Sequence, residues 1–348
     1  MAHLVVVSFR LGGTDGVSIE AAKWIGAFEK MGHHVTTLAG EGRADVLMPE
    51  LAIRATTAPR PDDVSRILAD AELVVIENFA SLPLNVAARD VLYQVLDHRR
   101  ALFRHHDLAW QREQWRGDEA PRDQLDWRHV TINELSRREL EARGVHALTI
   151  RNTFDCDPPT GRRDATREAL GLSNARVALM PTRAIPRKNV EGAFAFVESL
   201  DAVFWLLGPA EDGYGPALDA FMKKSRVRVI QGLPEGFDVH DAYAAADVVV
   251  MPSTWEGFGN PILESVTHRR VLAVYPYPVL REIESFGFRF FALDDVEGVE
   301  NFLKNPDADL VEHNVAIARE NFNVEDLPAR LTPLLESLSI KGTQLGSR

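Results

Sequence analysis

The sequence is poor in cysteine, with only Cys156 among 348 residues. An intrachain disulfide is therefore excluded, as is a structural zinc site built on several thiolates. A single thiol also suits a reducing compartment. Long apolar runs are missing too, and nothing approaches the roughly 20 residues needed to span a bilayer. The start, Met1-Ala-His-Leu-Val-Val-Val, lacks the basic segment and long apolar stretch of a secretory leader. Positive charge is in deficit: 39 Lys and Arg stand against 51 Asp and Glu, a net charge of −12. Without a basic footprint, a duplex nucleic-acid partner is not expected. These absences predict a cytoplasmic protein whose membrane contact, if any, is peripheral and at the inner face.

What is there is ordinary globular material, 45% hydrophobic and 26% charged, in a length that suits about two domains. Short β-rich runs alternate with longer amphipathic stretches. Strands are predicted at 3–9, 35–39, 72–76, 101–104, 130–133 and 147–150, with helices at 17–31, 62–70, 84–97 and 134–143 between them. Gly144 reads as a C-cap. The segment 151–163, with Pro158-Pro159, breaks the pattern and reads as a linker. The alternation then restarts with strands at 177–181, 203–207, 227–231, 248–251, 271–274 and 288–292. A last helix is predicted at 324–338 and a disordered polar tail at 341–348. Strand–helix alternation implies right-handed βαβ units and parallel sheets, here twice over. The predicted fold class is α/β, two Rossmann-like doubly wound domains facing a central cleft: 1–152, 153–322, and a C-terminal helix at 323–340 that crosses back.

Four segments carry chemistry. Pro252-Ser-Thr-Trp-Glu-Gly-Phe-Gly-Asn-Pro-Ile-Leu-Glu264 follows a buried strand and runs into a helix. Its glycines let backbone approach a ligand, and the helix start offers N–H groups and a positive dipole end. Glu256 and Glu264 are placed to accept hydrogen bonds from the hydroxyls of one ligand, although a solvated turn with an ordinary capping glutamate reads the same way. Pro181-Thr-Arg-Ala-Ile-Pro-Arg-Lys-Asn189 carries Arg183, Arg187 and Lys188, either an anion site or a solvated basic loop. Gly12-Gly-Thr-Asp-Gly16 follows the first strand without the G-x-G-x-x-G spacing of dinucleotide sites, and a tight turn with no ligand is nearly as good a reading. Arg104-His-His-Asp107 ends a short apolar run, where His106 is either structural or poised at a strand end facing the cleft.

Together these strings resemble glycosyltransferase family 4, retaining enzymes of the two-domain GT-B fold. The match is specific in the second half of the chain and mostly architectural in the first. It implies that Glu264 binds the ribose of a sugar nucleotide and that Glu256 faces the donor sugar. Amides around Phe258, Gly259 and Asn260 would hold the sugar's hydroxyls, and Arg183 with Lys188 the pyrophosphate. His106 falls at the family's His-Asp position, where a neutral imidazole donates to the reacting sugar. Gly12 and Gly13 fall in the loop that touches donor phosphate or sugar and shapes the acceptor site. Trp255 lies outside the motif.

The resemblance implies transfer of a hexose, with retention of configuration, from a UDP- or GDP-sugar to an acceptor hydroxyl. The acceptor would be a small molecule, a glycan or a lipid-linked compound. No cofactor or metal is expected: Asp155-Cys-Asp157 copies a metal-binding string of another glycosyltransferase fold but sits in the linker. Alternatives are a sugar phosphorylase, a nucleotide-sugar epimerase or a non-catalytic two-lobed binding protein; the missing dinucleotide fingerprint argues against a dehydrogenase. The basic, aromatic stretch from Arg99 to Arg116 reads as a solvated helix face rather than a site for an anionic acceptor.

Overall fold

In a computed structural model, which describes residues 1–340 other than Ser173 and Asp212, the chain divides into two units. One holds Met1–Thr153 and the returning segment from Val324; the other is Phe154–Asn323. The tail predicted at 341–348 lies outside the described residues. No helix among the described residues is long and apolar enough to cross a membrane.

The first unit is built on a wholly parallel sheet. Its strands are β1 (His3–Leu11), β2 (His34–Gly42), β3 (Val46–Leu47), β4 (Leu73–Glu77), β5 (Ala101–His105), β6 (Trp127–Thr131) and β7 (Ala147–Thr149), in the order β3-β2-β1-β4-β5-β6-β7. Both faces are covered, so the strands read as continuous apolar runs rather than alternating ones. Leu4 and Val6 point to one core, with Trp24, Phe28 and the leucines 327, 331, 334 and 335. Val5 and Val7 point to the other, with Leu68, Leu92, Phe103 and Trp127. The C-terminal segment is a 3-10 turn, Val324–Asp326, followed by a helix, Leu327–Ser337, which packs in this unit.

The second unit repeats the plan. Its strands are β8 (Val177–Met180), β9 (Val203–Leu206), β10 (Val229–Gln231), β11 (Val248–Met251), β12 (Val271–Val274) and β13 (Phe291–Ala292), ordered β10-β9-β8-β11-β12-β13 and all parallel. In each sheet the strand order reverses at one place, between β1 and β4 and between β8 and β11. Open α/β sheets bind ligands at the carboxyl ends of the strands flanking such a reversal. The chain enters and leaves the second unit side by side, since Phe154 bridges to Asn323 and its N–H donates to the Phe322 carbonyl at 2.7 Å.

Two elements differ from the sequence expectation. The strand predicted at 288–292 pairs with β12 only at 291 and 292. The Asn314 side chain takes the backbone of Arg289 instead, accepting from its N–H at 2.9 Å and donating to its carbonyl at 2.8 Å. The basic, aromatic stretch is no helix face: it runs through β5 into two single 3-10 turns, Ala109–Gln111 and Glu113–Trp115. There Trp110 packs under Arg143 and donates to Glu139, and Arg112 pairs with Asp107.

Candidate active site

In the second unit, the loops after β8 and β11 spring from neighbouring strands at the reversal point. Two hydrogen bonds stitch them together. Asn189, held at φ +48°, caps the Val190–Ser199 helix with its side-chain oxygen while its amide donates to the Pro252 carbonyl at 3.1 Å. Asparagine is among the few non-glycine residues that adopt this left-handed conformation readily. The Thr254 N–H donates to the Arg187 carbonyl at 3.0 Å.

That stitching brings three of the loop side chains together. Lys188 and Glu256, both buried, are hydrogen-bonded through Nζ and Oε1. Arg187 Nη1 donates to the other carboxylate oxygen at 2.8 Å and to the Trp255 carbonyl at 3.0 Å. Burial pushes the Glu256 carboxyl up, but the charges of Lys188 and Arg187 outweigh it and hold the pKa at about 2. Burial also depresses the Lys188 amine, against which the Glu256 charge works. The cluster is therefore an ionised carboxylate between two cations.

Directly after it, the helix Asn260–Thr267 starts at Gly259 with φ +91°. A Cβ at this position would lie 2.4 Å from the Tyr277 hydroxyl, which donates to the Phe258 carbonyl at 2.7 Å. Only glycine fits. Phe258, Gly259 and Asn260 thus form a fixed turn that leads into the positive end of a helix. Glu264, one turn further on, accepts from the Tyr243 hydroxyl at 2.7 Å. Arg183 stands apart from the Lys188–Glu256 pair, with its guanidinium in a half-exposed ion pair with Glu211 at 2.6 Å. Its charge still reaches Lys188 and helps to lower that amine's pKa. Asp157 pairs with Arg319, and Asp155 accepts the Asp157 N–H at 2.9 Å, so the linker carboxylates serve a turn and a salt bridge.

In the first unit, the turn after β1 and the ends of β4 and β5 lie on the carboxyl edge of one sheet. Gly12 takes φ +70° and Gly13 follows it in that turn. His106 is buried, with Nε2 at 2.8 Å from the Glu77 carboxylate and its backbone N–H on Asn78 at 3.1 Å. Glu77 is fully buried and also binds Arg104. Desolvation raises its pKa, but the Arg104 and His106 partners more than reverse this and keep it ionised. A carboxylate only accepts, so Nε2 of His106 carries the proton.

Sequence reading missed Glu77, Arg104, Asn189 and Tyr243. Glu77 had a signal, a charge closing the apolar run Leu73–Ile76 beside a reversal point. Tyr243 had none, since nothing in an alanine-rich helix announces a partner 21 residues away.

Residues 162–331 match the family described as Glycosyl transferases group 1. The chain is a glycosyltransferase. It is 24% identical to mannosylglucosylglycerate synthase of Thermotoga maritima, over 93% of this chain and 97% of that protein. It is 24% identical to the synthase of the same name from Petrotoga mobilis, over 83% of this chain and 86% of that one. Anabaena HepE, solved with UDP and glucose, superposes with a TM-score of 0.75 at 15% identity, covering 97% of this chain and all of that one. The glycosyltransferase has the GT-B fold, and the binding-protein and dehydrogenase readings fall away.

Proposed function

We propose that this glycosyltransferase moves a hexosyl group from a UDP- or GDP-sugar to an acceptor hydroxyl with retention of configuration. The observation that carries the reading is the pair of buried residues Lys188 and Glu256, joined by the half-buried Arg187, at the β8–β11 reversal beside the glycine-started helix Asn260–Thr267. A departing nucleoside diphosphate carries at least two negative charges, and fixed cations with a helix N-terminus stabilise that charge as it develops. The relatives' name contains mannosyl, glucosyl and glycerate parts, and HepE was solved with UDP and glucose. The HepE complex favours a nucleoside-diphosphate hexose as donor, and the relatives' name a small hydroxylated acceptor.

In this reading the second unit binds the donor, with Arg183 and Lys188 on the diphosphate, Glu264 on the ribose, and Glu256 with the turn 258–260 on the sugar. The first unit, through Gly12, Gly13 and His106, shapes the acceptor side. The acceptor oxygen forms its bond to the anomeric carbon on the face from which the diphosphate leaves. As the carbon–oxygen bond to phosphate breaks, its electron pair goes to the diphosphate, and the acceptor's proton passes to a phosphate oxygen. The products are the glycoside and nucleoside diphosphate.

The test is binding of UDP- and GDP-sugars to Glu264→Ala and Lys188→Ala by calorimetry, followed by product analysis with labelled donor. Loss of affinity in both variants, with nucleoside diphosphate released only when acceptor is present, is the expected result. Unchanged affinity in both would remove the donor-site assignment, and consumption of inorganic phosphate would make the enzyme a phosphorylase.

A further inference from the structure

Glu264 does not stand alone on its helix. The neighbouring helix, Val239–Ala245, carries Tyr243, whose side chain is fully buried and whose hydroxyl donates to Glu264 Oε2 at 2.7 Å. The tyrosine ring is itself fixed, because it lies stacked on His268 with centroids 4.4 Å apart and planes 20° apart. His268 is fixed in turn from both sides. Its Nδ1 is 2.7 Å from the Glu264 backbone carbonyl, and its Nε2 is 2.9 Å from His240 Nδ1. A carbonyl only accepts, so Nδ1 of His268 carries a proton. Burial lowers the His268 pKa to about 4, which leaves Nε2 to accept from His240. The chain of contacts runs His240, His268, Tyr243, Glu264, and each member lacks freedom to turn without breaking a hydrogen bond or a stack.

We infer that Tyr243 is a positioning residue for the donor site, holding the Glu264 carboxylate in the one orientation that receives the ribose hydroxyls of a nucleoside diphosphate. The inference rests on the reading of Glu264 as the ribose-binding group. A glutamate has three side-chain torsions, and a half-buried one at a helix surface samples several rotamers unless something holds it. Any rotamer that must be frozen on binding subtracts from affinity, whereas a carboxylate held before the ligand arrives does not. Burial, the Glu264 charge and the hydrogen bond raise the Tyr243 phenol well above its ordinary pKa, so it remains a donor at every working pH. The tyrosine does not need to touch the nucleotide. It acts through the carboxylate.

The readout that separates positioning from packing is discrimination between ribose and deoxyribose. The affinities of UDP and GDP, and of the 2′-deoxy and 3′-deoxy forms of whichever binds, are measured by calorimetry on the full chain, on Glu264→Ala and on Tyr243→Phe. Wild type is expected to prefer the ribonucleotide and Glu264→Ala to lose the preference. Tyr243→Phe is expected to weaken the ribonucleotide by about tenfold, with the deoxy forms little changed, as for loss of one hydrogen bond to a charged group. Thermal melting of Tyr243→Phe, with Tyr243→Leu as a variant that also loses the stack, reports any purely structural loss.

A lowered melting temperature with the ribose preference intact in Tyr243→Phe overturns the inference and leaves the donor site standing. A ribose preference intact in Glu264→Ala, or no binding of either nucleotide to wild type, overturns the inference together with the reading beneath it.

Discussion

His106 Nε2 lies 2.8 Å from Glu77 Oε2, and Arg104 occupies the carboxylate's other oxygen. All three groups are buried, and the Arg104 guanidinium also lies 3.8 Å from the Trp24 ring. Removing the anion leaves a buried guanidinium without its charge partner. Glu77→Gln is therefore expected to destabilise the first unit by roughly 3–5 kcal/mol, the usual cost of breaking a buried pair from one side. The urea midpoint of the variant measures this. A midpoint equal to that of wild type would mean that the pair is not structurally important.

Gly259→Ala tests the turn that starts the helix Asn260–Thr267. The new methyl would sit 2.4 Å from the Tyr277 hydroxyl, and the backbone is held at φ +91°. Tyr277 is buried and bonded to the Phe258 carbonyl, so it has no easy retreat. The expected loss is roughly 2–4 kcal/mol, with nucleotide-sugar affinity falling further than stability. Gly26→Ala is the control. It lies inside the Gly16–Lys30 helix with nothing within 4 Å of a Cβ, and should gain roughly 0.5–1 kcal/mol of stability.

How much of this could be read beforehand differs between the two kinds of feature. Apolar strands such as Leu4–Val7 and Val248–Met251 are legible because both faces of each sheet are buried, so burial writes itself as an unbroken run. The loop strings at 181–189 and 252–264 are legible because the residue types are contiguous. The pairing of Lys188 with Glu256 spans 68 residues and depends on β8 and β11 becoming neighbours, which only the strand order shows. Arg183 shows the converse. Its charge was plain in the sequence, but its engagement with Glu211 depends on where the chain goes after β9. Asn314 could not have been foreseen as the partner of the Arg289 backbone, because a side-chain amide that imitates a strand leaves no periodic trace.

Stability is expected to fall with pH in a window set by buried imidazoles. His105 is fully buried between Ser81 and His129, and burial first, then the neighbouring His129 and His106 charges, lowers its pKa well below 6.5. His268 in the second unit is lowered to about 4, chiefly by burial. Each group binds a proton more readily when unfolded. Their contribution is thus fully present above about pH 6.5 and is lost as pH falls towards the folded values, at about 1.4 kcal/mol per pH unit for each group inside its window. Below about 4.5 the depressed carboxyls of Glu77 and Glu256 extend the loss in the same direction. Melting temperatures between pH 8 and 4 measure the slope. A flat profile over this range would refute neutral burial of the two rings, and His268→Gln should remove the second unit's share alone.

On the proposed donor reading, Glu256 and a bound diphosphate would compete for the same cations. Lys188 and Arg187 both donate to the carboxylate, which is ionised throughout the neutral range. A diphosphate that approaches Lys188 must share it with an anion already in place, and that sharing weakens the hold on free nucleotide. Glu256→Gln keeps the shape but removes the competing charge. It also leaves Lys188 buried without its anion, so the empty protein should lose roughly 3 kcal/mol or more of stability. Bound UDP or GDP should restore more stability to this variant than to wild type, because the diphosphate supplies the missing charge. The predicted signature is nucleotide affinity raised by roughly tenfold while transfer slows, since a catalyst gains only from interactions stronger in the transition state than in the ground state. Adding Lys188→Met to Glu256→Gln should abolish the gain in affinity and recover part of the lost stability, so the two changes combine less than additively. Nucleotide affinity that falls in Glu256→Gln would show that the carboxylate orders the cations for the diphosphate rather than competing with it.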